Sequence, residues 1–212
     1  MIPNLCNIIV IGYNLPSVED ECLQSIVHNT KYRPYVLTFF DNYESGLTLT
    51  QAWNELIRSS QAEYVCLLNS DTIVYPKWLE KLITTIGRDE WIRFVGPSTN
   101  QCHSIQKTIP SYEESQKYEQ QAEIVNDPIS GFCVLFPKVV WEELNGFDER
   151  YDFYGAESDF INRGQTKFGW TCAWRKDSFV WHKGGASIAA SEKDEKAERE
   201  RAKKLYWSER GK

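Results

Sequence analysis

The sequence has no two cysteines within four residues of each other, no apolar run beyond about five residues and no low-complexity stretch; glycine and proline together number only 20 of 212. The cysteine spacing excludes Cys-x-x-Cys zinc and dithiol sites. The short apolar runs exclude a membrane span, which needs about 20 apolar residues, and the composition excludes collagen-like and disordered chains. Also missing are Gly-x-x-x-x-Gly-Lys-Ser/Thr, Gly-x-Gly-x-x-Gly, Gly-x-Ser-x-Gly and His-Glu-x-x-His. A phosphate ligand would therefore be neutralised without a glycine-rich loop, for which a divalent cation held by carboxylate and imidazole is the natural substitute. The start, Met1-Ile2-Pro3-Asn4-Leu5, has neither the basic residues nor the apolar stretch of a secretory signal, so a cytoplasmic location is expected. Cys6, Cys22, Cys66, Cys102, Cys133 and Cys172 are expected as unbridged thiols. The net charge of −6 divides unevenly: residues 188–212 carry eight Lys or Arg against six Asp or Glu, leaving the body at −8. An acidic body argues against a nucleic-acid partner.

What is present is an alternation of short β-branched runs and amphipathic stretches. Asn7–Ile11 reads as a buried strand ending in Gly12-Tyr13-Asn14, and Ser17–Val27 as a helix with Ser17 as cap. Tyr35–Phe40 reads as a second strand ending in Asp41-Asn42. Leu49, Ala52, Trp53, Leu56 and Ile57 mark a helical stripe, and Tyr64–Leu68 a third strand ending in Asn69-Ser70-Asp71 before a helix entered at Pro76. This order predicts an α/β domain with a mostly parallel sheet and helices on both faces; the polar strand ends then converge on one crevice. Further strands are expected at 92–95, 132–136 and 179–181, helices at 139–144 and 160–168, and a loop with one short helix, 113–122, over 98–127. Trp141, Trp170, Trp174 and Trp181 are expected in the core more than against sugar rings.

Asn69-Ser70-Asp71 resembles the Asp-x-Asp signature of GT-A-fold glycosyltransferases, in the Asn-x-Asp form found in the inverting family 2. Asp71 as a simple turn cap is the plain alternative. The resemblance extends in order through Tyr13-Asn14, Asp41-Asn42, Ala52-Trp53-Asn54, Ser130-Gly131-Phe132, Gly146-Phe147-Asp148-Glu149, and Trp181-His182 followed by Gly185-Ala186-Ser187. It implies the GT-A (nucleotide-diphospho-sugar transferase) fold over residues 1–187. It further implies a nucleotide site at Gly12, Tyr13, Asn14, Asp41, Asn42, Asn54, Asn69 and Ser70, and a Mn²⁺ or Mg²⁺ site at Asp71 and His182. Sugar contacts are implied at Gly131, Phe132 and Trp181. A carboxylate at Asp41 can accept the N3–H of uracil or thymine, which cytosine lacks, and so favours a uridine or thymidine donor; a UDP-sugar is the expected one.

The same family carries Glu-Asp-x-Asp with an Arg four residues after the last Asp. Aligned on Arg163, Asp159 is that last acid, Glu157 is the middle acid and general base, and Ala156 replaces the leading Glu. A shifted alignment would leave Ser158 at the base position; the Arg spacing favours the first. The implied activity is metal-dependent transfer of a sugar from a UDP-sugar to a glycan or protein-linked hydroxyl, with inversion and with Glu157 and Asp159 as the catalytic pair. The alternatives are a nucleotide-sugar-binding module without activity and a sugar-nucleotide nucleotidyltransferase; the acidic Leu15–Cys22 stretch disfavours the latter. Residues 188–212 read as a charged solvated helix or linker contributing nothing to the core.

Overall fold

A computed structural model of the chain describes residues 1–191, 193–208 and 210. The strands are β1 (Ile2–Gly12), β2 (Tyr35–Asp41), β3 (Ala62–Asn69), β4 (Thr72–Val74), β5 (Ile92–Ser98), β6 (Ala122–Val125), β7 (Cys133–Pro137) and β8 (Thr171–His182). The α-helices are α1 (Pro16–Asn29), α2 (Leu49–Ser59), α3 (Trp78–Ile86), α4 (Tyr112–Ser115), α5 (Lys138–Glu143), α6 (Ala156–Phe168), α7 (Ala186–Ala190) and α8 (Glu195–Ser208). The eight strands form one sheet in the order β2-β1-β3-β7-β5-β8-β4, with β6 paired to β8.

The first three β-α units behave as their patterns predict: β2 and β3 each pair parallel to β1, with Gly12 opposite Asp41 and Ile11 opposite Asn69. Their carboxyl ends therefore lie side by side. β7 is antiparallel to both β3 and β5, so its amino end, preceded by Gly131 and Phe132, meets the carboxyl ends of its neighbours. β8 runs parallel to β5 and antiparallel to β4 and β6. Five strands thus share one direction, and β4, β6 and β7 oppose them.

Period-two alternation along the strands divides the core into two layers. Ile9, Val65, Leu67, Val134 and Phe136 face α2, α5 and α6. Ile8, Val10, Cys66, Leu68 and Cys133 face α1 and α3. α2 starts with a reciprocal Thr48–Gln51 capping box, whereas α1 starts at Pro16 with Leu15 in the cap position, not Ser17. All six cysteines are free. Burial pushes the Cys22 thiol up to about 11 and Cys172 to about 12, so both stay protonated. Trp170 and Trp174 are core residues, but Trp141 and Trp181 are only half-buried. The region 98–127 holds, besides α4, two 3₁₀ turns and β6.

The charged tail differs most from expectation. α8 has no fully buried residue, yet Ala202 and Leu205 pack against the core layer around α6. Arg210 reaches Asp159 at 3.3 Å, and Arg201 donates to the Arg150 carbonyl at 3.0 Å. Helical charge alternation hid this docking because only two apolar side chains carry it. Removing the chain after Ser191 strips about 1–2 kcal/mol of apolar contact, which lowers Tm by roughly 2–8 °C in a domain of this size. Thermal denaturation checks this; an unchanged Tm would mean that the helix does not dock.

Candidate active site

The carboxyl ends of β1 and β3, the amino end of β7, and the segments after β5 and β8 enclose a cavity of about 850 Å³. Gly12, Tyr13, Asn42, Asn69, Ser70, Asp71, Gly131, Phe132, Glu157 and His182 line it. The strand-end residues therefore do converge.

Asp71 and His182 meet because β4 pairs antiparallel with the end of β8, Thr72 opposite His182. His182 Nε2 lies 3.3 Å from Asp71 Oδ1 and 3.4 Å from Asn69 Nδ2, while Nδ1 lies 3.0 Å from the Gln101 carbonyl. The carbonyl only accepts, so Nδ1 carries the proton and the Nε2 lone pair faces the cavity. Phe132 stacks on the imidazole with centroids 5.2 Å apart and planes at 20°. Phe132 thus orients the histidine. Burial pushes the Asp71 carboxyl up, but the polar surroundings that His182, the Ala186 amide and its own amide supply outweigh this and hold it below the usual range. Asp71 is therefore an anion.

A lone pair and a carboxylate oxygen 3.3 Å apart form a donor pair of the kind that can hold a cation. Beside them the Ser70 hydroxyl is buried with no hydrogen-bond partner, an unmet polar group on the cavity wall. The mixed oxygen and nitrogen donors suit Mn²⁺ or Mg²⁺. Among the described residues no group of three or more His, Cys, Asp or Glu could hold a metal. Two protein donors are sufficient for an ion that takes its remaining ligands from water and phosphate.

Glu157 sits in the first turn of α6, after Gly155 at φ +83°, with its carboxyl flush against Gly131. A Cβ on Gly131 would lie 2.8 Å from the Glu157 carboxyl carbon. Burial raises the Glu157 carboxyl above its usual range, opposed in part by the Glu157 and Gly131 amides. The Gly131 loop is itself anchored by buried Gln106, whose Oε1 accepts the Ser130 amide at 2.8 Å and whose Nε2 donates to the Pro97 carbonyl at 2.7 Å.

Asp159, Asn54, Asp41, Asn14 and Trp181 do not line this cavity. Asp159 is buried and bound by Arg163 at 2.7 Å and by Arg210. Arg163 also donates to the carbonyls of Leu144 at 2.7 Å and Gly146 at 2.8 Å. The Asp-Arg spacing is thus an i,i+4 helix pair that ties α6 to the Gly146-Phe147-Asp148-Glu149 turn. Asn54 serves the same turn: its Oδ1 accepts Trp141 Nε1 and the Phe147 amide, and its Nδ2 donates to the Phe147 carbonyl and Glu149. Every hydrogen-bonding position of Asn54 is used structurally, which corrects the expectation of a nucleotide contact. Asp41 is exposed, its Oδ1 accepting the amides of Asn14 at 3.3 Å and Tyr43 at 3.1 Å. Asn14 is exposed too. Trp181, next to His182 on an extended strand, points to the opposite face.

Several residues on the cavity wall or directly behind it carried no motif. Glu19 is buried and its Oε1 accepts the amides of Tyr13 at 2.7 Å and Leu15 at 3.1 Å, pinning the loop that brings Tyr13 to the wall. Gly12 is required there because a Cβ would lie 2.6 Å from that carboxylate oxygen. On the far wall Lys193 pairs with Asp152 and lies 4.8 Å over the Phe153 ring. Arg199 pairs with Glu195 at 2.8 Å and stacks 4.0 Å over Tyr154. The Asp152-Phe153-Tyr154 run of acid and aromatics just before Glu157 was the available signal for this wall; Arg199 had none.

The model of the family described as Glycosyl transferase family 2 matches residues 42–144. Comparison with curated protein sequences gives no significant match. Among solved structures, the crystal structure of GalNAc-T7 with UDP, GalNAc and Mn²⁺ superposes with a TM-score of 0.65 at 14% identity. It covers 84% of this chain and 43% of that one, so the chain spans less than half the length of this relative. The match spans just under half of the chain, whose residues 42–144 are therefore similar to glycosyl transferase family 2, and the chain has a GT-A fold. The match includes Asn69-Ser70-Asp71 and Gly131 but ends before Glu157 and His182.

Two outcomes follow from the Glu157–Gly131 contact. Gly131→Ala displaces the carboxyl without touching Asp71 or His182, so UDP binding in Mn²⁺ should persist while turnover falls at least tenfold; retained turnover would show that Glu157 tolerates the shift. Because its folded pKa lies above the unfolded one, the Glu157 carboxyl penalises folding as pH rises through the folded value and costs nothing below the unfolded value. Glu157→Gln should therefore raise Tm at pH 8, with the gain vanishing below pH 4. A gain independent of pH would exclude desolvation as its cause.

Proposed function

We propose that the protein transfers a sugar from a UDP-sugar to an acceptor hydroxyl, with a divalent cation and with inversion at the anomeric carbon. The observation that carries this reading is the arrangement of Asp71, His182 and Glu157 on one cavity wall system, with Glu157 on the α6 side and the other two at the β4–β8 pairing. Similarity in fold to a transferase solved with UDP and Mn²⁺ supports it.

In this reading Asp71 and His182 hold the Mn²⁺ or Mg²⁺ ion, which when bound offsets the charge on the diphosphate leaving group. The acceptor oxygen attacks C1 from the face opposite the nucleotide, the C1–O bond to the diphosphate breaks, and the acceptor proton passes to the Glu157 carboxylate. A carboxyl raised by burial is a stronger base than an exposed one, and the rate should fall in acid as Glu157 takes up its proton. Tyr13 and Asn42 lie where the base and ribose would rest, and Ser70 offers its unpaired hydroxyl to the donor. Asp41, exposed and outside the cavity, is not assigned a uracil contact. Glycan or protein-linked hydroxyls are the proposed acceptors, met by the Phe153-Tyr154 wall. Among the described residues no helix is long and apolar enough to cross a membrane.

Calorimetric titration with Mn²⁺ present tests the donor site. UDP should bind at least tenfold more tightly than GDP or CMP, and Asp71→Ala or His182→Ala should abolish the metal-dependent part of the affinity. Equal affinities for the three nucleotides would remove the uridine assignment, and unchanged Mn²⁺ dependence in both variants would remove the ligand assignment.

A further inference from the structure

The segment that follows β5 lies outside every motif, yet it makes the closest polar contacts to His182. β8 pairs with β5 only as far as Phe179, opposite Ser98. Beyond that point the Asn100 carboxamide substitutes for a strand. Its Oδ1 accepts the His182 amide at 2.7 Å, and its Nδ2 donates to the His182 carbonyl at 3.0 Å. This is the two-bond exchange of a β-ladder made by one side chain, and it fixes the backbone from which the imidazole projects. One residue on, the Gln101 carbonyl accepts Nδ1–H. The Gln101 side chain lies against Gly184, where an added Cβ would be 2.7 Å from Nε2, so the two segments are in contact on both sides of His182.

We propose that Asn100 and Gln101 are positioning residues that fix the His182 ring in the Nδ1–H tautomer, with the Nε2 lone pair held toward Asp71. The inference takes from the proposed function only the idea that this lone pair serves a metal. Three independent restraints act on one ring: the Asn100 clamp on its backbone, the Gln101 carbonyl on Nδ1 and the Phe132 face at 5.2 Å. Partners of this kind, one bond removed from the ligand, commonly change metal affinity 10- to 100-fold when lost. Gln101 acts through its main chain, so Asn100 is the residue whose side chain can be tested.

The test uses the full chain and two readouts. In metal-free protein at pH 8.5, long-range ¹H–¹⁵N correlation of the three histidines, assigned with a His182→Asn variant, should show His182 as the Nδ1–H tautomer. In Asn100→Ala the ring should populate both tautomers, and the Mn²⁺ dissociation constant in the presence of UDP should rise at least tenfold. Asn100→Gln keeps both polar groups on a longer stem and should show the same changes in smaller measure, which covers the case in which Asn100→Ala does not fold. A purely structural role would lower Tm while leaving tautomer and Mn²⁺ affinity within twofold of the parent, and that result would overturn the proposal, as would an Nε2–H tautomer in the parent. A parent with the Nδ1–H tautomer that binds no Mn²⁺ would support the positioning and remove the metal reading instead.

Discussion

The antiparallel pairing of Thr72 with His182 is the contact on which the site depends. It closes the sheet at β4 and sets a carboxylate from one strand end beside an imidazole from another. Each would be an ordinary polar residue alone. Together they set a carboxylate against an imidazole nitrogen at 3.3 Å, the donor pair proposed to hold the cation. The neighbouring elements maintain that pairing: Ala186 and Lys183 donate amides to Asp71, Asn100 clamps His182, and Phe132 supports the ring.

The Glu157 side of the cavity is held by a different device. Glu157 is aimed by α6, which Arg163 and Asp159 fix to the Gly146–Glu149 turn, while Asn54 ties the same turn to α2. Phe147 and Phe160 stack at 4.2 Å beneath this junction. The proposed base is thus carried by a helix whose register is set by buried charge and aromatic packing, while its carboxyl rests in a place that only glycine at 131 leaves open. Keeping it there raises its affinity for a proton at a cost in stability, the usual trade at a reactive group.

Much of this was legible in sequence for a physical reason. Fully buried strands such as Asn7–Ile11 and Tyr64–Leu68 have short β-branched or apolar runs with polar ends, and those ends must lie at the crevice of a parallel sheet. The Asp159–Arg163 spacing is legible because four residues is one helical turn. The direction of β7 was not legible, since an apolar run such as Phe132–Phe136 reads the same either way along the sheet. Nor was the true role of Asn54, because a motif position does not say which of two sides a helix presents. Asn100 and Glu19 bond to backbone groups and Gln101 uses its own carbonyl, contacts that leave no pattern of residue types, and α8 docks through two apolar side chains in a charged run.

The proposed mechanism rests on whether the Glu157 carboxylate takes the acceptor proton. The direct measurement is the initial rate of Mn²⁺-dependent UDP release from a panel of UDP-sugars with acceptor glycosides, compared between the parent chain and Glu157→Gln. Loss of a general base predicts a fall of roughly 10² to 10⁴-fold in rate with UDP affinity unchanged. A Glu157→Gln chain that turns over at the parent rate, while Asp159→Asn is inactive with its fold intact, would contradict the assignment and move the base to the buried, arginine-bound acid.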